Sequence, residues 1–117
     1  MLKTITALVV AGAIAVTPVP KKDKQPEYVN AGEYRISIFC QYCNEQEGFK
    51  SASGKHLKYG YVAMNGVPFG TKISIDGEPF EVADRVGVPN TVDIFIPSDK
   101  GYCTCNTLEY KTVYIKQ

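Results

Sequence analysis

The sequence predicts an all-β protein that folds as a small closed barrel of about six short strands. Three observations lead to this fold class. Apolar and polar residues alternate over short runs such as Glu33–Phe39 and Thr71–Ile75, as they do in half-buried strands. Ten glycines and seven prolines are spread along the chain and separate these runs by turns. The domain contains no convincing amphipathic helix of three turns.

Residues 1–16 predict a signal peptide or an uncleaved N-terminal anchor. Lys3 supplies one positive charge, an almost wholly apolar run extends from Ile5 to Val16, and the small residues from Ala13 to Ala15 resemble a cleavage site. The run of about 12 apolar residues is shorter than the roughly 20 that a transmembrane helix needs. We therefore expect an exported protein, secreted or associated with the cell wall. Contact with a membrane would come only through this segment, if it stays uncleaved.

Residues 17–31 predict an extended linker. Pro18, Pro20 and Pro26 interrupt regular structure, and the charged run from Lys21 to Lys24 keeps the segment in solvent. The folded domain is then expected over residues 32–117. A domain of about 85 residues has a small core, so an additional source of stabilisation is expected.

Six runs within the domain are expected to form its strands. Asp76-Gly77 lies between two of them and predicts a β-hairpin. Pro79 follows the hairpin and cannot donate a backbone hydrogen bond, which favours a sheet edge at the start of the return strand. Residues 41–58 are polar without a sustained period and predict a long loop. The expected strands are Glu33–Phe39, Tyr61–Met64, Thr71–Ile75, Glu78–Val82, Thr91–Ile96 and Lys111–Ile115.

The four cysteines form two close pairs, Cys40-x-x-Cys43 and Cys103-x-Cys105. An even number of cysteines in an exported chain favours disulfides, and a loop of about 60 residues closed between the pairs is worth roughly 4 kcal/mol in the chain-entropy description. A tetrahedral zinc site and free or redox-active thiols are the alternatives. Four cysteines allow three connectivities, so the pairing stays open. We expect disulfides, and no metal or other cofactor.

Charge and histidine content narrow the class of function. The net charge is +1, with 13 basic and 12 acidic residues, and this balance gives no reason to expect a nucleic-acid partner. His56 is the only histidine and lies in a polar loop, where a solvated role is expected. No second feature supports a nucleophile activated by histidine. We expect a monomer.

Two aspartates stand in apolar surroundings. Asp84 follows Val82-Ala83, and Asp93 interrupts an apolar β-strand. A buried carboxylate needs a partner or a chemical role. The turn between the two residues is expected to bring their strands back near each other, with both carboxyls at one rim of the barrel. Mutual repulsion and burial would then raise one pKa, and such a carboxyl can protonate a glycosidic oxygen. The structural alternative is that Asp84 caps the turn while Arg85 neutralises Asp93.

Five segments, taken together and in order, closely resemble the 3D (three-aspartate) domain family. The resemblance covers about Tyr34 to Ile115 and implies a double-psi β-barrel. The same fold is found in membrane-bound lytic transglycosylase A, in rare lipoprotein A-like proteins and in expansins. The matching segments are Ser51-Ala52-Ser53-Gly54, Gly60-Tyr61-Val62-Ala63, Val67-Pro68-Phe69-Gly70-Thr71, Val82-Ala83-Asp84-Arg85-x-Gly87 and Val92-Asp93-Ile94-Phe95.

The resemblance implies cleavage of the peptidoglycan glycan strand without water. In a lytic transglycosylase the 6-hydroxyl of muramic acid attacks its own anomeric carbon and leaves a 1,6-anhydro end. One carboxyl can serve first as acid and then as base, unlike the two carboxyls of ordinary glycosidases. By position, Asp93 matches the acid/base, and Asp84 matches the residue that would tune and orient it. Asn65, Tyr61, Thr71 and Arg85 are expected to bind substrate.

The chain departs from the family pattern in three places. Asn65 stands where the family has its first aspartate, the turn between the other two aspartates is shorter, and Pro97–Thr107 replaces a short helix. The leading expectation is a peptidoglycan-cleaving enzyme. A non-catalytic wall-binding module of the expansin kind is the first alternative, and Asn65 favours it. A zinc-stabilised interaction domain is the second.

Overall fold

The computed structural model describes residues 27–43 and 48–117, which form six strands. The expected signal segment or anchor, residues 1–16, and most of the expected linker lie outside the described residues. Strand lengths range from three to twelve residues. The strands are β1 (Tyr28–Phe39), β2 (Tyr61–Ala63), β3 (Lys72–Ile75), β4 (Glu78–Asp84), β5 (Thr91–Phe95) and β6 (Asn106–Lys116).

The strands close into one barrel in the order β1-β5-β2-β4-β3-β6. The β1–β5 and β2–β4 pairs are parallel, and the other four pairs are antiparallel. The described residues contain no helix, and therefore none long and apolar enough to cross a membrane. The fold class that the sequence predicts is confirmed: the chain forms an all-β, closed, six-stranded barrel.

The first and last strands are longer than expected. Tyr28 pairs with Lys116, so the barrel wall begins four residues before position 32, inside the segment that the sequence assigns to the linker. The β1–β6 register shifts between Asn30 and Gly32 and again between Arg35 and Ser37. Such bulges break the strict alternation of side chains, which hides the full length of both strands from the sequence pattern.

The predicted hairpin at Asp76-Gly77 is confirmed. Asp76 has φ 54° and Gly77 has φ 80°, as expected for the two central residues of a type I′ turn. The turn joins β3 to β4, with Ile75 opposite Glu78. Pro79 pairs with β3 alone, because the pairing of β4 with β2 begins only at Glu81. The predicted edge position of this proline is therefore confirmed.

The wall of the barrel carries apolar side chains on both faces. Along β5, Val92 and Ile94 belong to the larger cluster inside the barrel, so the alternation of a strand turns Asp93 to the outer face. There it neighbours a smaller cluster of Phe39, Leu57, Ala63 and Phe95. The larger cluster contains Ile36, Val62, Met64, Ile73, Ile75, Phe80, Val82, Val92, Ile94 and Val113.

Candidate functional site

Four residues form a lateral row across four neighbouring strands. Ser37 on β1 lies opposite Asp93 on β5, and Asp93 lies opposite Ala63 on β2. Ala63 also lies opposite Asp84 on β4. Residues in register on neighbouring strands project from the same face of a sheet. A register shift on the β2–β4 pair separates Val62 from Ala63, and Asp84 nevertheless lines the same cavity as Ser37, Ala63 and Asp93. The row therefore places the two carboxyls on either side of one small side chain.

The strands of Asp84 and Asp93 return near each other but do not pair directly. The short strand β2 hydrogen-bonds between β4 and β5. Two inter-strand spacings separate the backbones that carry the carboxyls by about 10 Å. Both residues lie on the outer face of the barrel wall, and they interact through charge.

Asp93 is a half-buried carboxyl whose pKa is raised above its ordinary value of 3.8. Burial is the largest cause, because it disfavours the charged form, and the negative charge of Asp84 acts in the same direction. A hydrogen bond from the Ser37 hydroxyl to Oδ1 (2.6 Å) and the positive charge of Arg35 lower the pKa without reversing the shift. Asp93 therefore keeps its proton at a higher pH than an exposed aspartate does.

Backbone donors fix the orientation of Asp84. The N–H groups of Ala52 and Arg85 each donate to its Oδ1 at 2.9 Å. Ala52 belongs to the loop that contains Ser51-Ala52-Ser53-Gly54, and Ser53 N–H donates to the carbonyl of Ala83 (3.2 Å). The loop is thereby attached to the end of β4, next to the carboxyl that it orients.

A cavity of about 610 Å³ opens over this row. Its volume lies within the range of ordinary small-molecule sites. Its lining is mixed, with acidic, basic, hydroxyl-bearing and apolar residues. The lining includes Ser37, Ala63, Asp84, Arg85, Gly87 and Asp93, together with Cys43 and Cys105.

Arg85 lies in the cavity wall but does not neutralise Asp93. Its Nη1 donates to the carbonyl of Met64 (2.8 Å), and its guanidinium lies 4.0 Å from the centre of the Phe69 ring. No ion pair joins it to Asp93 in the described part of the chain. The cation whose charge acts on Asp93 is Arg35 on β1. Arg85 is thus positioned by a carbonyl and an aromatic face, with further N–H donors for a ligand.

The side-chain amide of Asn65 hydrogen-bonds to the backbone of a neighbouring turn. Its Nδ2 donates to the carbonyl of Val86 (2.6 Å), and its Oδ1 accepts from the N–H of Val86 (3.1 Å). The residue lines a second cavity of about 350 Å³ with Gly66 and Asn90, outside the cavity that contains the carboxyls. Its amide therefore holds the segment that follows Asp84.

Tyr61 and Thr71 lie in the wall of neither cavity. Tyr61 packs against the smaller apolar cluster, and the ammonium groups of Lys55 and Lys58 lie 5.8 and 5.4 Å from its ring centre. The Thr71 hydroxyl donates to the carbonyl of Pro68 (2.6 Å) and closes the preceding turn. Of the four residues expected to bind substrate, the structure places only Arg85 in the cavity with the aspartates.

Sequence reasoning missed Ser37 and Arg35 as partners of Asp93. The alternation of Glu33–Phe39 already places both on the polar face of β1. That pattern gives no indication of which strand pairs with β1. The parallel β1–β5 pair, with 56 residues between the partners, is a non-local contact that only the folded barrel reveals.

The four cysteine sulfurs gather at the end of the cavity. Cys43 Sγ is in bonding contact with the sulfurs of both Cys103 and Cys105, with Cα–Cα distances of 5.4 and 6.5 Å that suit a disulfide. One sulfur forms one disulfide, so these contacts are alternatives and the pairing stays open. Cys40 is buried and unbonded, with its sulfur 3.4 Å from that of Cys43.

The arrangement as a whole is a cavity with a half-buried acid, a second carboxyl and a cation. The half-buried acid can exchange a proton with a bound ligand, and the second carboxyl, when ionised, can stabilise positive charge that develops on that ligand. The chain matches no protein-family model, no curated protein and no solved structure.

Proposed function

We propose that the chain is an exported, 3D-domain-like protein that acts on the cell wall and cleaves the MurNAc–GlcNAc glycan strand of peptidoglycan, as a lytic transglycosylase does. One observation carries the proposal. Asp93 is a half-buried carboxyl with a raised pKa, and it opens onto a cavity that contains a second carboxyl. The motif resemblance supplies the class of substrate.

Asp93 acts as the acid and then as the base. The neutral carboxyl donates its proton to the glycosidic oxygen as the bond to the anomeric carbon breaks. The resulting carboxylate then takes the proton of the muramic acid 6-hydroxyl, whose oxygen forms the new bond to the anomeric carbon. The raised pKa keeps this carboxyl protonated at a higher pH than an ordinary aspartate, which favours the proton-loaded starting state. Ser37 already donates to Oδ1, which leaves Oδ2 to carry the proton.

Asp84 contributes charge and does not form a covalent bond. Its negative charge helps raise the pKa of Asp93, and it can stabilise the positive charge that develops at the anomeric carbon in the transition state. The wide separation of the two strands, with β2 between them, suits these separate roles. Arg85 supplies donors for the polar groups of the sugar.

The test is digestion of purified peptidoglycan by the mature protein, with detection of 1,6-anhydromuropeptides by mass spectrometry. Asp93→Asn keeps the shape of the side chain and removes the acid, so we expect release to fall by about 100-fold or more. The exposed residue Asp99 offers a matched control, and Asp99→Asn is expected to retain activity. No release by the wild type, or equal release by Asp93→Asn, contradicts the mechanism.

A non-catalytic module that binds peptidoglycan or another wall carbohydrate is the second candidate. The observation that favours it is Asn65, an uncharged residue whose amide is committed to Val86. Co-sedimentation with insoluble cell walls separates the two candidates. Binding without release of anhydro products supports the module, and loss of binding in Arg85→Ala would place its surface in the same cavity.

A further inference from the structure

The four cysteines are brought together by the pairing of the longest strands. Cys40 and Cys43 follow β1 directly, and Cys103 and Cys105 precede β6 directly. The two strands are antiparallel neighbours, with Ile38 opposite Asn106, so the end of one meets the beginning of the other. All four Sγ atoms consequently lie within 4.8 Å of one another.

The segment that follows Cys40 folds back on it in a tight turn. Cys43 N–H lies 3.1 Å from the carbonyl of Cys40, which closes the turn between the two residues. The Cys40 side chain is fully buried, and its sulfur lies 3.4 Å from that of Cys43. The turn therefore holds the two sulfurs of the C-x-x-C segment close together, as two ligands of one ion must be.

A bound ion accounts for the closeness of all four sulfurs. Cys43 lies against both Cys103 and Cys105, and the sulfurs of Cys103 and Cys105 are 3.0 Å apart. A tetrahedral zinc ion with Zn–S bonds of about 2.3 Å separates its sulfur ligands by about 3.8 Å. Sulfurs that all lie within 4.8 Å of one another can reach that geometry if the side chain of Cys43 moves away from its two neighbours.

We propose that Cys40, Cys43, Cys103 and Cys105 bind one Zn²⁺ ion in a closed tetrahedral site. The thiols release their protons to solvent as the ion binds. Four protein ligands leave no open position, so the role of the ion is structural. It joins the end of β1 to the beginning of β6 and supports the cavity wall at Cys43 and Cys105. The site replaces the expected disulfides and goes beyond the proposed glycan cleavage, on which it does not depend.

The decisive experiment measures metal and thiols in the same sample of the full chain, purified without chelator or reductant. We expect one zinc per chain by plasma mass spectrometry. Alkylation after denaturation without reduction should modify all four cysteines. Replacement of zinc by Co²⁺ should give the absorption bands of a tetrahedral cobalt–thiolate centre. A metal-free chain with two disulfides overturns the proposal, and so do free thiols that fail to bind added Zn²⁺ or Co²⁺.

Single substitutions test which residues bind the zinc ion. Cys105→Ser removes one ligand and is expected to reduce zinc content well below one per chain. Tyr102→Phe is a matched control, because Tyr102 is an exposed neighbour of Cys103 whose side chain contributes no ligand. Unchanged zinc content in Cys105→Ser contradicts the ligand assignment. The metal and thiol counts of the wild type test the proposal even where a variant fails to fold.

Discussion

The hydroxyl of Ser37 donates a hydrogen bond of 2.6 Å to Oδ1 of Asp93 across the parallel β1–β5 pair. This bond lowers the pKa of Asp93 while burial raises it. Ser37→Ala should therefore raise the pKa of Asp93 further. Because the hydrogen bond to a half-buried carboxyl is lost, the variant should also be less stable by about 1–2 kcal/mol. NMR titration of the Asp93 carboxyl carbon and denaturant unfolding measure the two effects.

Ser74→Ala is the matched control for that substitution. Ser74 lies on β3 away from both carboxyls, so neither the titration of Asp93 nor the stability should change appreciably. A pKa of Asp93 that stays constant or falls in Ser37→Ala would show that the hydroxyl does not act on the carboxyl.

Asp93 should make the stability of the folded protein depend on pH. Its folded-state pKa lies above the ordinary value of 3.8, so the folded protein binds the proton more tightly than the unfolded chain does. The resulting stabilisation is complete below the unfolded pKa and is lost as the pH rises through the folded pKa. Asp93→Asn removes this dependence, so the variant should gain stability relative to the wild type as the pH rises through that window. Urea unfolding at a series of pH values measures the difference, and a constant difference would refute the linkage.

Asn65→Asp adds a negative charge beside the backbone of Val86, and we expect it to weaken the fold. A carboxylate accepts hydrogen bonds only, so the bond to the Val86 carbonyl is lost and two acceptors face each other. The expected loss is about 1–3 kcal/mol at neutral pH. This loss of stability should be smaller at acidic pH, because the protonated carboxyl of the variant can again donate a hydrogen bond to the Val86 carbonyl. Thermal unfolding across pH provides the measurement.

Asn90→Asp controls for the added charge. Asn90 is exposed and has φ 52°, a conformation that aspartate also tolerates. Its substitution should change stability little. If Asn65→Asp is as stable as the wild type at neutral pH, the amide does not hold the Val86 segment as the geometry indicates.

Two glycines should respond in opposite ways to the same added methyl group. Gly77 has φ 80° in the hairpin turn, so Gly77→Ala should cost about 1–2 kcal/mol through backbone strain alone. Gly87 has no left-handed φ, and its added Cβ would meet open space. Gly87→Ala should leave stability unchanged or raise it by up to about 1 kcal/mol. Parallel denaturant unfolding of the two variants gives the comparison, and equal losses would contradict the assigned turn.

The sequence was sufficient to predict an all-β barrel, because the patterns that indicate its strands and turns are local. The turn at Asp76-Gly77 and the alternating runs depend on neighbours a few residues apart. The bulge near Gly32 is marked by that glycine, whose φ is 104°, but the glycine falls in the segment that the sequence assigns to the linker and the start of the domain. The bulge near Ser37 has no such residue to mark it.

The site could be anticipated only in part, for a related reason. Asp84 and Asp93 are visible as acids in apolar strands, and the structure does bring both into one cavity. The insertion of β2 between them, and the action of Ser37 and Arg35 on Asp93, depend on strand order, which no local pattern specifies. Asn65 and Thr71 lie outside the wall of that cavity, and the side chain of each donates a hydrogen bond to a nearby backbone carbonyl, as short polar side chains often do.

Ala63 sits at the centre of the row that joins Ser37 to Asp84. At Ala63, main-chain hydrogen bonds of β2 to β4 and β5 set the distance between the two strands that carry the carboxyls. These bonds do not depend on which side chains the strands carry. Covering loops can consequently diverge in evolution while the spacing of the acids persists. The position of Ala63 is the exception, because a bulkier side chain there would project between the two carboxyls and leave less room in the cavity for a ligand.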